Sequence, residues 1–147
     1  MKTIRLILLF ATLAGFVPLA RAAERSGIQG ILISASNERG ETDRRLASYE
    51  PTLRRILRFE SYHFLGEDSA ALAVPESGRL SIGEGHELEV ATERVEGNSI
   101  RVKVRWVAGG RTLMNTGLVL RAGVPAVLGG PTTGKKGEVY AVILVSR

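Results

Sequence analysis

The chain contains no cysteine, which excludes disulfides, thiol nucleophiles and thiolate metal ligands. Aromatic residues make up only 5% of its 147 positions, with a single tryptophan, and none interleaves with the arginines as single-strand nucleic-acid platforms require. There are two histidines, so a metal site would need carboxylate help. Internal repeats, low-complexity tracts and long linkers are missing as well. What is present, 44% hydrophobic and 24% charged residues, is ordinary for a globular protein and excludes collagen-like or strongly disordered chains. The conspicuous number is a formal charge of +5, from 20 basic against 15 acidic residues. Taken whole, it suggests nucleic acid or an anionic surface.

The N-terminus changes that reading. Met1 to Arg5 carries Lys2 and Arg5 and no acid, and Leu6 to Val17 is an apolar run interrupted only by Thr12 and Gly15. Pro18 and the small-residue signature Ala20-Arg21-Ala22 follow. A positive start, a short apolar stretch and an A-x-A site are the three parts of a secretory signal peptide, so residues 1–22 are expected to be removed after Ala22. The run is too short for a membrane anchor, because a span needs about 20 apolar residues. Residues 1–22 hold three basic residues and no acid, so residues 23–147 would carry 17 basic and 15 acidic residues, a formal +2. The expected product is one exported domain, periplasmic or secreted, with no stable membrane span and no affinity for nucleic acid.

Hydrophobic periodicity assigns the elements. Gly27 to Ser36 reads as a buried strand. Leu46, Tyr49, Leu53, Ile56 and Leu57 recur at helical spacing and form an apolar face, with Arg44, Arg54, Arg55 and Arg58 opposite. Pro51 is tolerated only in a first turn, so the firm helix is expected over Pro51 to Phe59, with Asp43 to Tyr49 a separate turn. Short strands are expected from Ser61 onward: Ser61–Leu65, Ala70–Val74, Arg79–Ile82, Glu87–Ala91, Ser99–Val107, Arg111–Asn115, Gly117–Leu120 and Val124–Leu128. Gly129-Gly130-Pro131 reads as a break, and Val139–Val145 as a central strand covered on both faces. The clearest segment is Ser99–Val107, where Ile100, Val102, Val104 and Trp106 alternate with Arg101, Lys103 and Arg105. The predicted fold is α+β: an N-terminal βα unit followed by an antiparallel β-sheet or β-sandwich of about seven to nine short strands.

No catalytic constellation emerges. Gly129 to Lys135 spells G-x-x-x-x-G-K, but Lys136 stands where a P-loop needs Ser or Thr, and a strand follows where a helix must open. The segment is expected to be a Gly/Lys turn. His86-Glu87-Leu88-Glu89 lacks the second histidine of H-E-x-x-H, and no G-x-S-x-G elbow is present. His63 and His86 read as surface or half-buried structural histidines. Glu84, Glu87, Glu89, Glu93 and Glu96 sit at polar strand positions and turns, where solvation explains them. No cofactor or metal is implied. Two basic patches remain, Arg44, Arg54, Arg55 and Arg58 on the helix and Arg101, Lys103 and Arg105 on a strand. They are solvated faces or contacts for an anionic partner.

The strand Gly30-Ile31-Leu32-Ile33-Ser34-Ala35-Ser36-Asn37, the segments Asp43-Arg44-Arg45-Leu46 and Leu53-Arg54-Arg55-Ile56-Leu57, the pair Ser61-Tyr62 and the stretch from Gly123 to Pro131 occur in a telling order. That order resembles a family of small, signal-peptide-bearing bacterial domains without an assigned biochemical function. Val127-Leu128-Gly129-Gly130 is also similar to a strand-and-turn of outer-membrane secretins, too short a likeness to carry a function. The resemblance implies an envelope-associated domain and supplies no catalytic residues. The function expected is therefore non-catalytic binding of another envelope component, a protein or an anionic polymer. The alternative is a small hydrolase or carbohydrate-active enzyme using acids near Glu84–Glu89.

Overall fold

The structure, a computed structural model, describes residues 25–147, so the expected signal segment and the expected cleavage after Ala22 lie outside the described residues. The chain is mostly β. Among the described residues, eight strands form two antiparallel sheets: β1 (Ser26–Ser36), β2 (Ser61–Leu72), β3 (Ser77–Gly83), β4 (His86–Glu96), β5 (Ser99–Ala108), β6 (Arg111–Arg121), β7 (Ala126–Thr132) and β8 (Glu138–Ser146). The first sheet runs β2-β1-β8-β7 and the second β3-β4-β5-β6. A 3-10 turn (Arg44–Leu46) and one short helix, α1 (Glu50–Leu57), lie between β1 and β2.

The first sheet is covered on both faces, which explains why β1 and β8 read as near-continuous apolar runs. Alternate residues of β1 and β8 (Ile28, Leu32, Val142, Leu144) join Leu80, Leu88, Val102, Val104 and Trp106 of the second sheet in one core. The intervening residues (Ile31, Ile33, Ala141, Ile143, Val145) face the other way, onto Leu46 and Leu53 beneath the helical segment. Close approach of the sheets requires glycine at several points. A Cβ on Gly30 would lie 2.9 Å from Leu88 Cδ1, and one on Gly66 would overlap the Ile82 carbonyl. Asp68 Oδ2 accepts from the Ser81 amide at 2.9 Å, tying the β2 edge to the β3 edge.

Several sequence expectations need correction. β1 pairs antiparallel with both β2 and β8. Gly66 does not divide β2, and the two segments expected within β6 are one strand. Gly129-Gly130-Pro131 is not a break but part of β7, because Gly130 is the seat of the Trp106 ring: a Cβ there would lie 2.6 Å from Trp106 Cζ3. The helix starts with proline in its first turn, as expected, but ends at Leu57, where Arg58 turns left-handed at φ 54°. Ile56, placed on the apolar face by periodicity, is 48% exposed, whereas Leu53 is fully buried.

Candidate functional site

The strand patch is not a free cationic face. Arg101, Lys103 and Arg105 project from the outer face of the second sheet, as alternation requires, but the neighbouring strand sets Glu89 opposite Arg105 and brings Glu93 to Lys103. Arg105 pairs with Glu89 at 3.2 Å and donates to Thr112 at 3.0 Å, and Lys103 pairs with Glu93 at 3.4 Å. Arg79 of β3 reaches Glu87 and Glu89 from the other side, at 3.8 and 3.3 Å. Arg101 is half-buried opposite Arg94, and its Nε finds no partner among the described residues. Exposed pairs of this kind contribute at most about 1 kcal/mol each. Their main effect is to neutralise the patch.

The helix patch is different. Arg54 is engaged: it pairs with Glu50 at 2.9 Å across one turn and donates to the Phe59 and Glu60 carbonyls, closing the helix C-terminus. Arg44, Arg55 and Arg58 are exposed and form no ion pair among the described residues. Arg45, which sequence reasoning passed over, lies over the Phe64 ring at 4.1 Å and pairs with Asp43 at 2.9 Å. That hydrogen-bonded pairing holds the Asp43 carboxyl below its usual value. The exposed Ile56 lies on α1 next to Arg55.

Of the acids of the enzyme alternative, Glu87 and Glu89 do not converge with His86, whereas Glu84 lies near it. Along β4, Glu87 and Glu89 point outward to Arg79 and Arg105, while His86 points inward and is 5% exposed. His86 Nδ1 accepts from Trp106 Nε1 at 2.9 Å, so that nitrogen carries no proton, and burial lowers the histidine pKa. The His86 ring also packs against Tyr140 at 4.5 Å. The expectation of a surface or half-buried histidine fails here because Trp106 draws the imidazole into the core. His63 is exposed.

The first sheet extends past the second at the end where β1 stops, and this creates a cleft of about 620 Å³. Register places two cross-strand rows on its floor, Ser61–Ser36–Glu138 and His63–Ser34–Tyr140. The β3–β4 turn closes one side, where Gly83, Glu84 and Gly85 are all left-handed and the Tyr140 hydroxyl donates to Glu84 at 3.4 Å. Burial, with Glu84 nearby, raises the Tyr140 pKa. Arg39 and the turn bearing Thr133 and Lys135 complete the rim. The sequence did not single out these serines, because alternation along β1 marks their positions as core-facing without showing that the opposing sheet ends short of them.

The class defined by this geometry is mostly β: among the described residues, two stacked antiparallel sheets with one short helix. No helix among the described residues is long and apolar enough to cross a membrane, and none of their acidic and histidine side chains form a metal-holding group. No family model, curated protein or solved structure matches this chain.

Proposed function

We propose that the protein is an exported, non-catalytic domain that binds another component of the cell envelope, with an acidic protein surface as the partner of its helix side. The observation that carries this reading is the contrast between its two basic patches. Lys103 and Arg105 pair with Glu93 and Glu89 of β4 and Arg101 is half-buried opposite Arg94, whereas Arg44, Arg55 and Arg58 are exposed without acidic partners among the described residues, Arg55 next to the exposed Ile56 in α1. Arginine beside an exposed aliphatic side chain matches protein-interface chemistry, in which arginine is enriched and an apolar centre is ringed by polar groups. The signal-like segment over residues 1–22 supports export.

The test is capture from an envelope extract by the tagged protein. A partner retained by the wild type and by the double variant Lys103→Ala/Arg105→Ala, but lost from Arg55→Glu/Arg58→Glu, supports the reading. Equal capture by all three proteins contradicts it. Binding to protein-free anionic vesicles or polysaccharide, with no captured protein, would replace the protein partner with an anionic polymer.

A further inference from the structure

The cleft at the open end of the sandwich carries an inference that does not depend on the helix-side arginines. We propose that it is a binding site for a neutral sugar unit, a polyhydroxylated ring of mono- or disaccharide size.

The inner face of the first sheet is hydrocarbon along most of its length, with Ile28, Leu32, Val142 and Leu144 packed on the second sheet. At the cleft the same face changes chemistry, and Ser34, Ser36 and Ser61 take the positions that alternation reserves for core residues. Buried hydroxyls are normally satisfied, because leaving one without a partner is costly. Ser36 accepts from the Glu38 amide at 3.1 Å, and Ser61 donates to the Glu38 carbonyl at 3.0 Å. Ser34 is 4% exposed and lines the cleft, where its hydroxyl can meet a bound group.

The groups around Ser34 select the ligand class. A sugar hydroxyl both donates and accepts, and the cleft offers the complement of each: carboxylates at Glu84 and Glu138 to accept, and Lys135 and Arg39 to donate. Glu38 adds a third acid against those two bases, so the lining favours neither phosphate nor another simple anion. The half-buried Tyr140 ring, backed by His86, supplies an apolar wall for a sugar face. A volume of about 620 Å³ lies within the range of small-molecule sites. Glu84 holds a left-handed backbone at φ 51°, where glycine is the easier residue. Its carboxylate is the feature that a glycine would lack.

The test is titration of the isotope-labelled full chain, followed by amide NMR, with glucose, N-acetylglucosamine and cellobiose into the millimolar range, and with inorganic phosphate in parallel. The expected result is saturable shifts at Ser34, Glu84 and Tyr140 with at least one sugar. Ser34→Ala and Glu84→Gly should each weaken that binding at least about tenfold. Neither variant threatens folding, since the first removes one oxygen and the second suits the local backbone. The proposal is overturned if no sugar produces saturable shifts at these residues, if phosphate alone does so, or if either variant binds sugar as tightly as the wild type.

Discussion

Acidification should destabilise this protein through one side chain, His86. The imidazole is buried, accepts from Trp106 Nε1 through Nδ1 and has a lowered pKa because burial disfavours its charged form. In the unfolded chain it titrates near 6.5. Between that value and the lower folded value, the unfolded state binds a proton that the folded state does not, so stability falls as pH falls. The slope attributable to this group is at most about 1.4 kcal/mol per pH unit, and the loss levels off below the folded pKa. Trp106 is the only tryptophan, so urea unfolding followed by its fluorescence reads the affected region directly. His86→Phe keeps a planar ring but strands the Trp106 N–H, which should cost about 1–3 kcal/mol at pH 8. The variant should also flatten the stability profile between pH 7.5 and 5 relative to wild type, those limits being set about one unit or more either side of the histidine range. If wild type and variant lose the same stability over that interval, His86 is not the titrating group and the reasoning fails.

Other substitutions test the packing. Gly130→Ala should cost about 1–3 kcal/mol and shift the tryptophan emission, since the new methyl would meet the Trp106 ring and the Tyr140 carbonyl. Leu53→Ala, beneath the helix, should cost about 2–5 kcal/mol in urea or thermal unfolding, whereas a loss under 1 kcal/mol would mean the helix is not anchored there. Arg105→Ala should change stability by no more than about 1 kcal/mol, because its pair with Glu89 is solvent-exposed.

How much of this was legible depended on whether a residue's environment was local. The period of two in β5 and the apolar run of β8 announce strands covered on one face and on both, and Pro51 marks the first turn of α1. Gly129-Gly130-Pro131 misleads because its meaning lies in Trp106, more than twenty residues earlier and on the opposite sheet. The cationic strand misleads similarly: Glu89 and Glu93 neutralise Arg105 and Lys103 only through the β4–β5 pairing. Gly66 and Gly117 lie within strands rather than ending them. The cleft stayed hidden because Ser34, Ser36, His63 and Tyr140 come from three strands whose order is non-sequential.

The central claim is that the available cationic face belongs to the helix side and not to the strand. The most direct measurement is the salt dependence of partner capture by wild type, Arg55→Glu/Arg58→Glu and Lys103→Ala/Arg105→Ala, compared from low to physiological ionic strength. Exposed charges are strongly screened over a Debye length of about 8 Å at physiological salt, so binding through the helix arginines should weaken as salt rises. The expected result is that the wild type and the strand variant bind alike and lose binding together, while the helix variant binds weakly even at low salt. Loss of binding in the strand variant with retention in the helix variant would contradict the claim.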